Sequence, residues 1–352
     1  MRVLFYVRAN HIEVKGGDLV QLYCTGEALV KEGISIEYSS DTKKDLAKYD
    51  IVHIFNSPRF EETKEFFENA LKQKKPIAFS TIFWSKDELA VGIAKNRSVK
   101  FVYKTFGVGT AKSYRKIAKK IQNVKKYDNS EVIERWLFQQ ADILLPNSEG
   151  EMREIKRVYG VDNDYQVVCN AINVDKFRKT PIFSRKNYVL SVGRVERRKN
   201  TMKLIEACAK NNLPLVLIGG YDEKDDYAKE CIKLAEANSF KYITHLGQDE
   251  LIKYYYEAKV HAMVGWYETP GLSSMEAACG GCNIVSTDRG STKEYFKNMA
   301  VYCDPFSQNS IDSALATAIT QKNNIKLRDE IMHNYTWQNA AKATIKGYER
   351  LV

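Results

Sequence analysis

Short apolar runs of strand length recur along the chain, each followed by a segment long enough for a helix. In the first half they span residues 2–7, 34–39, 51–56, 76–82, 143–147 and 165–170. Runs rich in β-branched and aromatic residues that alternate with helical patterns predict parallel strands. Between the third and fourth, Ser57-Pro58 supplies an N-cap and a first-turn proline for a helix carrying Phe66, Phe67, Ala70 and Leu71 on one face. A second series follows at 188–192, 215–218, 243–246, 260–264, 283–286 and 300–303. Strand, helix, strand is the repeating unit, so an α/β fold of two doubly wound domains is expected. Between the series, 171–186 holds Pro181 and several charges without periodicity, as an interdomain linker does. Open parallel sheets bind ligands beyond the carboxyl ends of their strands, so function is sought in those loops.

Composition adds limits. A chain of 352 residues, 44% hydrophobic, can build two cores. Seven cysteines, at 24, 169, 208, 231, 279, 282 and 303, are scattered and odd in number, which argues for free thiols and a reducing cytoplasm. The start MRVLFYVRANHIEVKGG lacks the apolar length and cleavage site of a signal peptide, and no run of eighteen apolar residues is present. The net charge of +10 is uneven: residues 95–126 hold eleven Lys or Arg and no acid. That asymmetry asks for an anionic partner.

The most informative stretch is Glu268-Thr-Pro-Gly-Leu-Ser-Ser-Met-Glu276, which follows a strand and opens a helix over 273–278. Pro270 and Gly271 permit a tight turn, and the helix start beyond them offers N–H groups and partial positive charge to a phosphate. Carboxylates accept paired hydrogen bonds from vicinal hydroxyls, so Glu268 and Glu276 suit a sugar and a ribose on either side of a diphosphate. Ser191-Val192-Gly193-Arg194 ends the second domain's first strand, with Arg197, Arg198 and Lys199 close behind. Arg194 and Lys199 can neutralise a diphosphate leaving group, which would remove the need for a metal.

On these residues the chain resembles the retaining GT-B glycosyltransferases of family 4. The resemblance rests on Val192-Gly193-Arg194 with Lys199, the E-x7-E spacing of Glu268 and Glu276, and Gly290 with Glu294. Gly16-Gly17, Asn170-Ala-Ile-Asn-Val-Asp175 with Phe177, and Tyr335-Thr-Trp337 extend it over nearly the whole chain. It implies a GT-B fold, two Rossmann-like domains facing across a cleft. Residues 1–175, joined by a C-terminal helix at 336–352, would bind the acceptor; 176–335 would bind a nucleotide-sugar donor. Arg194 and Lys199 would hold the diphosphate and, with Glu268, form the catalytic set. Glu276 would take the ribose, Glu268 with the Gly271-Leu272 backbone the donor sugar, Gly193 and Ser273 would add donor contacts, and the Gly16-Gly17 loop would close over the diphosphate. Where the family commonly has a histidine after an N-domain strand this chain has Phe83, with Trp84 beside it as a substitute sugar contact; the usual junction glycine is Ala171. The implied activity is transfer of a sugar to a hydroxyl of a glycan or lipid-linked glycan, with retention, and without cofactor or metal.

Other features divide between chemistry and packing. Cys279-Gly-Gly-Cys282 has no second pair at zinc spacing and reads as close helix–strand packing. Gly107-Val-Gly109 lacks the third glycine of a dinucleotide loop. His53 reads as a packed strand residue, and His11, just before Gly16, as the better candidate for touching the acceptor. Tyr254-Tyr-Tyr256 packs a helix or stacks on a base. Over 111–126, Tyr114, Ile117, Ala118, Ile121 and Val124 form an apolar stripe flanked by lysines. It fits a surface helix of the N-domain, an anionic membrane surface at the inner face, or an acidic glycan, and nucleic acid least. A sugar-nucleotide epimerase or phosphorylase, and a non-catalytic nucleotide-sugar-binding protein, are the rival readings.

Overall fold

The computed structural model describes residues 1–11, 17–56, 59–94, 129–178 and 184–352. In chain order the first elements are β1 Arg2–Tyr6, α1 Gly17–Lys31, β2 Ser35–Ser39, β3 Ile51–Phe55, α2 Phe60–Lys72, β4 Ile77–Ser80, α3 Asp87–Gly92, α4 Asn129–Gln140, β5 Ile143–Leu145, α5 Glu149–Tyr159 and α6 Asp175–Arg178. The second series is β6 Lys186–Val192, α7 Thr201–Lys210, β7 Leu215–Ile218, α8 Asp226–Ala237, β8 Lys241–Ile243, α9 Gln248–Glu257, β9 Ala258–Met263, α10 Leu272–Cys279, β10 Asn283–Thr287, α11 Thr292–Phe296, β11 Val301–Cys303, α12 Gln308–Thr320, α13 Ile325–Asn334 and α14 Trp337–Tyr348. Two compact units result. Among described residues one holds 1–84, 129–173 and 334–352, the other 85–94 and 174–333. Residues 85–94 therefore join the second unit although chain order sets them in the first half; Glu88 of α3 lies 3.7 Å from the Arg289 guanidinium.

The first unit's described strands form one parallel sheet in the order β2-β1-β3-β4-β5. Alternation along β1 sends Val3 and Phe5 into a core with Leu22 and Leu29 of α1 and Ala341 and Tyr348 of α14. Leu4 and Tyr6 enter the opposite core with Phe66 and Phe67 of α2 and Phe138 of α4. Side chains on one strand thus feed both faces, which is why these runs are continuously apolar. Helices lie on both faces, and the strand order reverses between β1 and β3. The second unit repeats this plan in a parallel sheet ordered β11-β10-β9-β6-β7-β8, whose reversal falls between β6 and β9.

Three local expectations change. Residues 165–170 add no full strand: Tyr165 makes a single bridge to Leu144. The Gln166 and Val168 amides reach the Leu144 and Pro146 carbonyls, but the three-residue β5 carries no longer ladder. Helix α2 begins at Phe60 with Arg59 at its cap, two residues beyond Pro58, and its buried face is Thr63, Phe66, Phe67 and Ala70. Leu71 instead remains 38% exposed. The strand expected at 243–246 ends at Ile243.

Candidate functional site

The second sheet's reversal sets the carboxyl ends of β6 and β9 side by side, with Val189 paired to Val260 and Leu190 to His261. Beyond β6 come Gly193 and Arg194, both exposed, and then a one-turn 3-10 helix, Arg197–Lys199. Asn200 follows in a left-handed conformation. Its buried amide donates to the Val264 and Pro305 carbonyls, both at 3.2 Å, so it ties this loop to the end of β9. Residue types that tolerate left-handed backbone and hydrogen-bond locally suit such a junction.

The centre is an ion pair between two expected site residues. The Lys199 ammonium donates to both Glu268 carboxylate oxygens at 2.9 Å. Glu268 is only 2% exposed. Arg198 adds a second cation 3.6 Å from the same carboxylate and lies over the Tyr267 ring. Burial lowers the Lys199 pKa below the usual lysine range, and the Glu268 charge opposes that shift. Backbone geometry holds the carboxylate in place. Glu268 bridges Gly290, whose φ of 91° and proximity leave no room for a side chain: a Cβ there would sit 2.0 Å from the Glu268 carbonyl oxygen. Sequence reasoning placed Lys199 and Glu268 on different parts of a ligand; here they hold each other.

Helix α10 starts at this pair. Gly271, at φ 91°, makes the turn, and a Cβ on it would lie 3.4 Å from Glu268 Oε2. The Ser274 and Met275 amides return to the Gly271 carbonyl, whereas Leu272 and Ser273 begin the helix with no hydrogen bond to their amides among the described residues. Such an open helix start is an anion seat. One turn on, half-buried Glu276 accepts from the Tyr255 hydroxyl at 2.9 Å. Burial raises the Glu276 pKa, against the effects of Tyr255 and Lys176. Beneath the helix, Ser274 meets His261 Nδ1 at 3.3 Å, and the buried His261 Nε2 has no partner among described residues. Asn200 and His261 were not singled out from the sequence, and Arg198 and Tyr255 were named there without these roles. Arg198 was signalled by its place in Arg197-Arg198-Lys199 and Tyr255 by the run Tyr254-Tyr-Tyr256; Asn200 and His261 have no local motif.

Arg194 has an exposed guanidinium without a partner among the described residues. Cys279 and Cys282 are buried, with thiols pushed up to about 12 by desolvation. Gly280 packs so near that a Cβ would be 2.7 Å from the Tyr255 carbonyl oxygen; its close approach is to helix α9, where a strand was expected. Tyr255 and Tyr256 are buried in this packing, and Tyr256 donates to the Phe177 carbonyl.

In the first unit, His11 folds onto its own turn, with Nδ1 2.9 Å from the Arg8 carbonyl. Gly17 opens α1, and Gly16 lies outside the described residues. Trp84 is half-buried, while Phe83 is in the core against Phe138 and Tyr159 and donates its amide to Glu151. His53 is a packed strand residue: its nitrogens meet the Tyr348 hydroxyl at 2.6 Å and the Ser80 hydroxyl at 2.9 Å, and burial lowers its pKa to about 3. The basic segment 111–126 and Gly107-Val-Gly109 lie outside the described residues.

The two parallel sheets, each with its switch point, define a doubly wound α/β class, to which comparison with known proteins adds a family match. Residues 173–337, most of the second unit, match the family described as Glycosyl transferases group 1. The chain is 26% identical over 225 residues to N-acetylgalactosamine-N,N'-diacetylbacillosaminyl-diphospho-undecaprenol 4-alpha-N-acetylgalactosaminyltransferase of Campylobacter jejuni, covering 61% of this chain and 58% of that one. It is 24% identical over 234 residues to glycogen synthase of Mycobacterium tuberculosis, covering 61% and 56%. These matches span a little over half the length of the curated relatives. The fold is GT-B: sucrose-phosphate synthase from Thermosynechococcus elongatus superposes with TM-score 0.76 at 15% identity over 99% of this chain and 98% of that one. Anabaena HepE, solved with UDP and glucose, gives 0.65 at 12% identity over 99% of both.

Proposed function

We propose that the chain transfers a sugar from a nucleoside diphosphate donor, bound by the second unit, to a hydroxyl acceptor bound by the first. The observation that supports this most is the buried Lys199–Glu268 pair at the open start of α10. An incoming diphosphate would take the Leu272 and Ser273 amides and part of the Lys199 charge. That would release Glu268 to accept from sugar hydroxyls, while Glu276, oriented by Tyr255, takes the ribose. Exposed Arg194 would add the charge that grows in value as the glycosidic bond breaks. Charge neutralisation by these cations would supply what a metal does elsewhere, so the reaction is proposed to be metal-independent; retention of configuration is proposed on the family resemblance. The named transferase of Campylobacter supports a lipid-linked glycan as acceptor, with the lysines of 111–126 meeting an anionic membrane surface. No described helix is long and apolar enough to cross a membrane.

The test is thermal stabilisation of the chain, with EDTA present, against UDP-, GDP-, ADP- and CDP-sugars. One stabilising donor names the nucleotide; no shift with any donor, confirmed by calorimetry, sinks the reading. For the membrane contact, Lys116, Lys119 and Lys120 changed to Glu should abolish sedimentation with anionic liposomes, and unchanged binding would remove it.

A further inference from the structure

Strand β9 is interior to the second sheet, paired to β6 on one side and β10 on the other, so its side chains stand on a rigid element. His261 is fully buried on it, level with Leu190 of β6 and Ile284 of β10. Such positions in a parallel sheet suit Val, Ile or Leu, and an imidazole there is costly unless it is hydrogen-bonded.

Three parts of the donor site act on this ring. Its Nδ1 meets the Ser274 hydroxyl at 3.3 Å. It stands edge-on to the Tyr255 ring, centroids 6.1 Å apart, and the Tyr255 hydroxyl donates to Glu276. Burial and, after it, the Lys199 charge keep the ring neutral.

Ser274 is the link to the anion seat. It is the third residue of α10, directly after Leu272 and Ser273, whose amides leave the helix start open. A serine inside a helix can fold back on a carbonyl of its own turn. This one reaches down to β9 instead. Gly271, the N-cap, brings no side chain to fix the first turn and sits at φ 91°. The turn is therefore pinned from below, through Ser274, to an interior strand. His261 Nε2, meanwhile, is buried with no partner among the described residues. A polar atom in that state lowers stability, so a phenyl ring would serve the packing at least as well. What a phenyl ring cannot do is hold Ser274.

We propose that His261 is a positioning residue for the donor: through Ser274 it holds the first turn of α10 where the Leu272 and Ser273 amides meet a diphosphate. The ring itself touches no substrate. This rests on the glycosyl-transfer reading and adds to it the group that sets its anion seat.

The experiment is calorimetric titration of the full chain and its variants with UDP, GDP, ADP and CDP, alongside urea unfolding. For the nucleotide that binds, His261→Phe should weaken binding about tenfold, the worth of one hydrogen bond, while stability holds or rises. Ser274→Ala should give the same loss, and Ser274→Thr, which keeps the hydroxyl, should bind as the unaltered chain does. His261→Phe combined with Ser274→Ala should bind no more weakly than either alone, because both remove one interaction. Should His261→Phe fail to fold, Ser274→Ala and Ser274→Thr carry the test, since both leave the ring in place. Unchanged affinity in His261→Phe or Ser274→Ala overturns the positioning role. So does an affinity loss that tracks a loss of stability, or a double variant about a hundredfold weaker, as two independent losses would give. An unaltered chain that binds none of the four diphosphates overturns the transfer reading beneath it, whereas normal binding with indifferent variants overturns the role of His261 alone.

Discussion

The two sheets share one plan, yet their carboxyl edges handle buried charge in opposite ways. In the second unit, Glu268 is compensated by the ammonium of Lys199 and the nearby Arg198. In the first, Glu151 is fully buried and is held by the Thr81 hydroxyl together with the Phe83 and Asn147 amides at 2.7 and 2.8 Å. Such a carboxylate, held by neutral donors among the described residues, ties down the loops after β4 and β5. One held by a cation beside an open helix start is exchangeable, because an anionic ligand can compete for the cation. On the function proposed above, the second edge is the one that meets the donor and the first the one that holds its own loops in place.

The largest effects should come from breaking the exchangeable pair. Lys199→Ala leaves Glu268 buried with only Arg198 nearby, and should lower unfolding free energy by about 3 kcal/mol and transfer by roughly a thousandfold. Urea titration and donor turnover read the two losses. The pair Lys199→Met with Glu268→Leu should recover most of the stability, because buried ion pairs are often replaceable by apolar groups, but none of the activity. Recovery of transfer would remove the site's assignment. Arg194→Ala comes next: about a hundredfold slower transfer with stability changed by less than about 0.5 kcal/mol, since an exposed guanidinium holds nothing in the fold. A loss of stability matching the loss of rate would make Arg194 structural.

Glu151→Ala sharpens the contrast from the other side. It strands the Phe83 and Asn147 amides and should cost about 2 kcal/mol in urea unfolding, while donor affinity, measured by calorimetry, stays as it was. A drop in donor affinity of tenfold or more would show that the first edge also reacts to the ligand.

These contrasts explain what the amino-acid pattern could reveal. Strands such as β3 were legible because all five residues are buried and apolar or, like His53, satisfied by neighbours. Residues 165–170 looked the same but follow a short β5, and strand pairing depends on a partner's length that no local pattern records. In the site, Gly271 and Glu276 were legible as a helix start and its second turn, since capping and spacing are local. The Lys199–Glu268 pairing joins residues 69 apart, and the grip of Tyr255 on Glu276 spans 21. The first depends on the loops that the reversal between β6 and β9 brings together, the second on how α9 and α10 pack on either side of β9 in the chain, and neither follows from a single motif.

The smallest effect concerns pH and separates the edges once more. His53, between Tyr348 and Ser80, and His261, beneath α10, are both buried neutral with pKa values lowered to about 3 by desolvation. Their unfolded pKa is near 6.5, so the unfolded chain binds protons first as pH falls. The stability each contributes is complete above pH 6.5 and declines below it until the folded pKa is reached. From pH 6.5 to 5.5 each should cost about 1 kcal/mol, in a range where ordinary carboxylates stay ionised. His53→Asn should remove about half of that decline in urea titrations at the two pH values. Adding a stabilising nucleotide sugar should leave the His53 share untouched, because His53 belongs to the first edge. It should flatten or deepen the His261 share, because Lys199 is among the groups acting on that ring and its charge is shared with the ligand. If ligand instead alters the His53 share, the two edges are coupled, and the division between them fails.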